Sequence, residues 1–282
     1  MPSTDQPHPF RVSDALAAGI GAGRLRGRDL ARPFHGIRVA ADAATTPEQS
    51  YAPLLRPGDR FSHTSAARLW HVPLPGWVGS GVHVTAEPGV VRPRGAGVHG
   101  HEGAGVVTTT RHGLPVSDPP TMFLELAGLL RLEELVAVGD HLIHHPRIAE
   151  PGDTRPHLDV DELREWLDHS TARGVKRARA AAVLLRPGVE SPRETRLRLL
   201  LLGAGMPEPV CGVRWRDLRR SRADRVVRSG VAGVEGGGGV RRRPAPDQRS
   251  AVRTRYPAFR SGLSGGVVGG ASAKAGSRGG TQ

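Results

Sequence analysis

The sequence changes character at Cys211, and this break limits how much of the chain can fold into a packed domain. Residues 1–210 hold 24 Lys and Arg against 23 Asp and Glu, whereas residues 211–282 hold 16 against 4. The stretch after Cys211 also contains 15 of the 38 glycines, few large apolar side chains and no sustained period of 2 or 3.6 residues. Because burial in such a segment cannot offset the loss of chain entropy, we predict a disordered Gly/Arg-rich tail over residues 211–282.

The formal net charge of +13 comes almost entirely from this tail. The remainder of the chain is close to neutral, so the global charge is no argument that it binds nucleic acid. A disordered Arg-rich tail would itself bind nucleic acid non-specifically, with a strong dependence on salt.

Cysteine content and hydropathy exclude several classes of protein. Cys211 is the single cysteine, which excludes an intramolecular disulfide and a cysteine-based zinc site. No apolar run approaches the roughly 18 residues needed to span a bilayer, and residues 1–10 lack a basic region followed by an apolar stretch. We therefore expect a cytoplasmic protein without a membrane partner.

The patterning along the chain predicts an α+β protein with several regions. We expect a flexible N-terminus at 1–9, a winged-helix-like unit with its linker at 10–57, a mixed α+β middle domain at 58–186, a further helix at 187–210, and the tail at 211–282.

Residues 10–39 are typical of two short helices followed by a strand. Ser13 is a candidate N-cap for the first helix, residues 24–31 form the second with two leucines inward, and residues 34–39 alternate as a strand or wing. This order matches a winged helix-turn-helix, whose second helix enters the major groove of DNA.

The same segment supplies arginines that could contact DNA phosphates, four around the second helix and one on the wing: Arg24, Arg26, Arg28, Arg32 and Arg38. The alternative is a small helical lid whose arginines are only solvated. DNA is therefore the expected partner if the winged-helix interpretation holds.

The middle of the chain alternates between strand and helix patterns. After a polar linker at 40–57, we predict a helix at 61–70 capped by Thr64. Further strands are predicted at 82–85, 106–110 and 113–116, and further helices at 120–130, 132–144, 159–169, 174–185 and 191–204.

Histidines occur in two places that could suggest a metal site. One is the segment His99-Gly100-His101-Glu102, and the other contains His141 and His145, which share a helical face. A structural zinc needs four ligands, and a catalytic zinc needs three ligands and a water. Neither segment supplies such a set, so we expect these histidines to be solvated or bonded to partners, and we predict no metal site.

A resemblance to known families enters at residues 189–209, which read Val-Glu-Ser-Pro-Arg-Glu-Thr-Arg-Leu-Arg-Leu-Leu-Leu and continue to Ala-Gly-Met-Pro-Glu-Pro. This stretch resembles the opening of the very-short-patch-repair-like endonuclease domain of actinobacterial proteins, a PD-(D/E)xK-type nuclease. Residues 24–30, 63–70 and 113–116 resemble the winged-helix portion of type IV abortive-infection (AbiEi-like) antitoxins, which precedes that nuclease in many chains. The resemblance covers roughly residues 10–210. It implies that residues 187–210 are the first helix of a truncated nuclease domain, and that DNA and a cognate toxin are partners.

The resemblance places Glu194 near the metal site of the nuclease. The other interpretation is a capping box, with Ser191 at the N-cap, Pro192 at N1 and Glu194 at N3, and this is the one we favour. The acids and the histidine that serve Mg²⁺ and the attacking water in that family do not follow in this chain. We therefore expect no intact catalytic residue beyond the weak candidate Glu194, and Mg²⁺ only if a nuclease site were intact.

A frameshift would explain the missing motifs. If the codons are read one base later, the given residues fix two bases of each new codon and leave one base free. With a suitable choice of that base, residues 228–234 become Asp-Leu-Ala-Trp-Pro-Glu-Trp. Residues 239–247 can likewise become Glu-Tyr-Glu-Gly-Asp-Gln-His-Arg-Thr, in the order of the family's motifs. Our hypothesis is that the reading frame shifts between Cys211 and Arg228.

Three functions remain open at this stage. The first is a DNA-binding, antitoxin-like or regulatory protein that is catalytically inactive. The second is a Mg²⁺-dependent DNA endonuclease, which the resemblance supports but the carboxylates after Glu194 do not. The third is a folded but functionless remnant of a broken gene.

Overall fold

The computed structural model describes residues 8–103, 108–146, 148–149 and 151–211. The predictions for the flexible N-terminus fall largely outside these residues, and those for the tail and the frameshift do so apart from Cys211. Within the described residues the fold is α+β, as the sequence patterns indicated, with two sheets and eight α-helices.

The first sheet belongs to the N-terminal unit. Strands β1 (Phe10–Arg11), β2 (Leu30–Ala31) and β3 (Ile37–Ala40) pair in the order β1-β3-β2, and both pairings are antiparallel. Helix α1 (Val12–Ala17) follows β1 directly. The predicted strand at 34–39 is thus confirmed in its second half and is the centre of the sheet.

The predicted second helix at 24–31 is wrong. A single 3-10 turn, Arg24–Arg26, is followed by a loop that leads into β2. Gly27 ends the turn, and a Cβ there would lie 2.3 Å from Oδ1 of Asp29. The inward position of the two leucines is confirmed, because Leu25 and Leu30 are both buried.

Two predicted caps also differ from the structure. Helix α1 has Arg11 at its N-cap, and the Ser13 hydroxyl bonds the neighbouring Asp14 carboxylate instead. The helix predicted at 61–70 is α3 (His63–Leu69), with Ser62 at the N-cap, and Thr64 is buried inside its first turn.

The polar stretch at 40–57 is not a simple linker. It contains α2 (Pro47–Tyr51), which opens with a reciprocal capping box between Thr46 and Gln49. Tyr51 is buried and meets Phe34 and Phe61 edge-on, with ring centroids 5.1 and 6.4 Å away. The aromatic contacts connect the N-terminal unit to the rest of the described chain.

The second sheet has five strands in the order β6-β5-β4-β8-β7. Its pairings β5/β6 and β4/β8 are parallel, and the other two are antiparallel. The strands are β4 (Arg60–Phe61), β5 (Val82–Ala86), β6 (Val98–Glu102), β7 (Thr108–Arg111) and β8 (Leu114–Ser117).

The two faces of this sheet have different chemistry. Phe61 lies in register with Val84 and Val116, and all three are fully buried in the apolar core. Since side chains alternate along a strand, the neighbours of these three residues point to the opposite face. That face carries polar side chains: Arg60, His83, Thr85 and Ser117.

Helix α3 contacts β5 and β8 of this sheet, and the helices that follow it build the rest of the core. Helix α5 is central, because it packs against α4, α7 and α8. Of its predicted inward residues, Leu135, Val136, Val138 and Leu142 are buried and Leu132 is partly buried. The helices are α4 (Pro119–Leu126), α5 (Leu132–Ile143), α6 (Val160–His169), α7 (Val175–Leu184) and α8 (Pro192–Gly203).

A buried ion pair joins α8 to α5. Nη2 of Arg198 lies 2.9 Å from Oδ2 of Asp140, and both side chains are only 1% exposed. The same carboxylate accepts hydrogen bonds from the Thr195 hydroxyl at 2.9 Å and from the backbone N–H of Arg186 at 2.8 Å. The helix that the resemblance assigns to a nuclease is therefore packed into the core around α5.

Candidate functional site

The arginines predicted to contact DNA do not form one equivalent set. Arg24, Arg26 and Arg28 lie between α1 and β2, Arg32 follows β2, and Arg38 lies on β3. The Arg24 guanidinium makes a two-bond ion pair with Asp29, with distances of 3.0 and 2.6 Å. Arg38 is half-buried and donates to the backbone oxygens of Leu25 and Ile37, both at 2.8 Å. These two side chains hold the loop in shape.

Arg26 and Arg28 are exposed, and neither side chain has a hydrogen-bond or ion-pair partner among the described residues. Arg32 is exposed as well and makes one long bond of 3.4 Å to the backbone oxygen of Arg26. Arg26 and Arg28 are therefore presented to solvent on the segment before β2 that Arg24 and Arg38 stabilise, and Arg32 is exposed just after β2.

Glu194 lies at the N-terminus of α8 and takes part in capping. The Ser191 hydroxyl accepts from the backbone N–H of Glu194 at 3.3 Å, as the N-cap prediction requires. The Glu194 carboxylate in turn accepts from the Ser191 hydroxyl at 3.0 Å and from the backbone N–H of Glu190 at 3.2 Å. In a standard capping box the N3 carboxylate accepts from the backbone N–H of the N-cap residue. Here it accepts from the backbone N–H of Glu190, the residue before the N-cap. Among the described residues, no cluster of metal-binding side chains includes Glu194.

One group of metal-binding side chains does occur in the described part of the chain, and it consists of three histidines. His83 lies on β5 and His101 on β6, and since the residues of each strand alternate, both point to the polar face of the five-stranded sheet. His63 is the first residue of α3, directly after β4. We call these three residues the histidine cluster.

The ring contacts of the histidine cluster are close. Nδ1 of His83 lies 3.0 Å from Nε2 of His101. The ring of His63 is stacked on that of His101 with 3.8 Å between centroids. One ligand atom from each of the three residues lies within 4.8 Å of the other two.

Burial keeps the histidine cluster neutral. Desolvation, aided by the neighbouring imidazoles, lowers the pKa of His63 to about 2 and that of His83 to about 3. Burial likewise lowers the pKa of His101. Neutral imidazole is the form that binds a metal ion.

Glu125 of α4 contacts the backbone of the histidine cluster at His63. Its carboxylate accepts from the backbone N–H of His63 at 2.9 Å and from the Ser117 hydroxyl at 3.1 Å, and it lies 3.7 Å from the Arg60 guanidinium. Burial raises the pKa of this carboxyl group to about 7, against the opposing effects of the His63 N–H and Arg60.

The second pair of histidines considered from the sequence is not brought together as a site. His141 lies 3.1 Å from the Arg155 guanidinium, and His145 is exposed. Another pair, which the sequence did not indicate, is on the surface: Nε2 of His71 and Nε2 of His112 are 3.2 Å apart.

Sequence reasoning considered His101 but missed its two partners. The alternation Val82-His83-Val84 was the available signal for His83, because it puts the histidine on the face opposite the two valines. Nothing in the sequence shows that β5 and β6 are parallel neighbours, or that His63 at the start of α3 lies beside them.

Comparisons with known proteins identify no family for this chain. No protein-family model matches the chain, and no curated protein is similar to it. Among solved structures, the RV2827C protein from Mycobacterium tuberculosis is 17% identical, with a TM-score of 0.39, and the match covers 73% of this chain and 79% of that one. A likeness at this level carries no argument about function. None of the helices in the described residues is long and apolar enough to cross a membrane.

Proposed function

We propose that this chain is a DNA-binding, antitoxin-like or regulatory protein whose N-terminal unit contacts the DNA backbone. The observation that supports this proposal is the exposed pair Arg26 and Arg28, which have no partner among the described residues. Arginine side chains without a protein partner are available to phosphate oxygens, and such contacts supply most of the affinity for DNA.

The loop that carries these arginines favours backbone contacts over base reading. A recognition helix reaches base edges from several successive turns, whereas Arg24–Arg26 forms one 3-10 turn. The Arg24–Asp29 ion pair and the Arg38 hydrogen bonds keep this loop in one conformation. In our proposal, the loop therefore positions the protein on DNA through phosphates and not through a helix in the major groove.

The test compares two double variants in a chain that ends at Cys211, so that the arginines of residues 212–282 do not contribute. Arg26→Ala/Arg28→Ala removes the proposed contacts. Arg193→Ala/Arg196→Ala is the matched control, since it removes two exposed arginines of α8 and changes the net charge equally. Binding to a duplex of mixed sequence is measured by fluorescence anisotropy over a range of salt concentrations.

We expect the Arg26/Arg28 variant to lower the magnitude of the salt slope by about 2, because each lost phosphate contact accounts for about 1. The control variant should leave the slope unchanged. An equal decrease of the salt slope in the two variants would show that DNA binding depends only on net charge. A shortened wild-type chain that does not bind DNA, while the full chain does, would assign binding to residues 212–282 and overturn the proposal.

A further inference from the structure

We propose that His63, His83 and His101 form a binding site for a zinc-type divalent transition metal ion, with three imidazole nitrogens as ligands and one coordination position left for a small molecule. This inference concerns the polar face of the five-stranded sheet and is independent of the proposed DNA contact. It stands on distances, on the chemistry of the donors, and on two unusual features of the backbone and side chains at this place.

The first support is the spacing of the nitrogens. Two nitrogens bound to one tetrahedral zinc ion at about 2.0 Å lie about 3.3 Å apart. The distance between Nδ1 of His83 and Nε2 of His101 is 3.0 Å, close to that value. The third ligand atom, from His63, lies within 4.8 Å of both. The rings of His63 and His101, which are stacked, must turn out of parallel for all three nitrogens to reach one ion.

The second support is the way His63 is held. Nδ1 of His63 lies 3.0 Å from the Ser62 hydroxyl and 3.9 Å from the Glu125 carboxylate, which leaves Nε2 for the ion. A metal-binding histidine commonly directs its other ring nitrogen to such a polar partner, and this fixes the tautomer and the ring orientation.

The backbone of His63 is strained at the same place. Its φ is +49°, in the left-handed region that side chains with a Cβ rarely adopt, and its N–H donates to Glu125. His71 and His112 adopt the same conformation, with φ of +57° and +50°, so this backbone feature supports the site at His63 only together with the cluster of ring nitrogens.

The third support is a buried polar atom without a partner. Thr85 pairs in register with His101, is 2% exposed, and its hydroxyl has no hydrogen-bond partner among the described residues. A buried hydroxyl of this kind is costly unless something bonds it. A water or small anion in the fourth position of the ion would supply that kind of partner.

The donor set decides the class of metal. Three imidazoles without a thiolate suit zinc and its neighbours cobalt, nickel and copper, whereas Mg²⁺ and Ca²⁺ require oxygen ligands. Three protein ligands and an open position are also the arrangement of catalytic and not structural zinc sites.

The test uses the full 282-residue chain and Co²⁺ as a spectroscopic probe for zinc. All 13 histidines lie within the described residues, so a matched control can be chosen from the structure. His101→Ala removes one proposed ligand. His71→Ala/His112→Ala removes the exposed pair, whose nitrogens are equally close at 3.2 Å but which has no third ligand.

We expect wild type and the His71/His112 control to bind one equivalent of Co²⁺ with the intense visible bands of tetrahedral coordination, and Zn²⁺ to displace it. His101→Ala should weaken binding by at least about 100-fold, the upper range for loss of a group that only supports a ligand. Equal binding by wild type and His101→Ala, or no stoichiometric binding by wild type, overturns the proposal.

A second measurement does not depend on whether His101→Ala folds. In the wild-type chain, paramagnetic broadening of amide NMR signals by Co²⁺ should centre on β5, on β6 and on the start of α3. Broadening centred on His71 and His112, or spread over all surface histidines, would show adventitious binding and overturn the site.

Discussion

Replacement of Arg198 by methionine tests whether α8 is an integral part of the core around α5. Methionine keeps much of the volume of the arginine side chain but removes its charge. In the wild type, the Asp140 carboxylate has three donors: the backbone N–H of Arg186, the Thr195 hydroxyl and the Arg198 guanidinium. The variant leaves this carboxylate, which is 1% exposed, with the two neutral donors alone.

The expected loss can be derived from these contacts. Removal of one partner of a buried ion pair typically costs about 3–5 kcal/mol, because the other charge remains buried. Here two hydrogen bonds, each worth about 1 kcal/mol, stay on the carboxylate. We therefore expect the free energy of unfolding to fall by about 3 kcal/mol. Arg196→Met, on the exposed side of the same helix, is the control and should change it by less than about 0.5 kcal/mol.

The pH dependence of this loss provides a second check. Burial already raises the pKa of Asp140, and removal of the Arg198 charge raises it further. A group with a raised pKa in the folded state binds a proton there more readily than in the unfolded state, so protonation favours folding as the pH falls. The cost of Arg198→Met should therefore be smaller at pH 5 than at pH 8.

The assay is urea unfolding of the full chain, followed by circular dichroism at the two pH values. A loss for Arg198→Met that equals that of the Arg196→Met control would refute the reasoning, since it would mean that α8 does not depend on the ion pair. A loss that grows as the pH falls would refute the assignment of the cost to the Asp140 charge.

Two further predictions follow from the capping contacts and from the buried histidines. Glu194→Ala should lower the free energy of unfolding by only about 0.5–1 kcal/mol in urea titrations, and neither it nor the wild type should cleave plasmid DNA with Mg²⁺ or Mn²⁺. Cleavage that Glu194→Ala abolishes would contradict the capping role. Burial, aided by nearby arginines, lowers the pKa of His141 and of His157 to about 4, so the unfolded state binds more protons and stability should fall as the pH drops from 6.5 to 4. The double variant His141→Gln/His157→Gln should lose less stability over this window, and an unchanged profile would assign the acid sensitivity elsewhere.

Local sequence patterns predicted the helical part of the fold well. The apolar spacing in 132–144, the helix predicted from residue 159 and the N-cap signal at Ser191 correspond to the observed starts of α5, α6 and α8. These signals depend on residues within one or two turns of each other, so they can be recognised without knowledge of the partner elements.

The wrong secondary-structure predictions lie in segments whose local structure depends on contacts with residues distant in the sequence. Residues 24–31 have the leucine spacing of a short helix, but Gly27 interrupts it and Leu30–Ala31 pair with β3 instead. In the stretch 40–57, the polar composition hid α2, whose stability comes from its capping box and from the burial of Tyr51. A short element of this kind depends on packing more than on intrinsic propensity.

The histidine cluster shows why a candidate site can be missed in a sequence whose fold class can be predicted. His63, His83 and His101 are about twenty residues apart, and no spacing rule for metal ligands connects them. The parallel pairing of β5 with β6 and the position of α3 directly after β4 bring them together. Because the apolar core occupies one face of β4, β5 and β8, the polar residues of these strands lie on the other face, where His101 of β6 joins them. A search for sites in similar chains should therefore begin with the polar alternates of strands whose apolar alternates form the core.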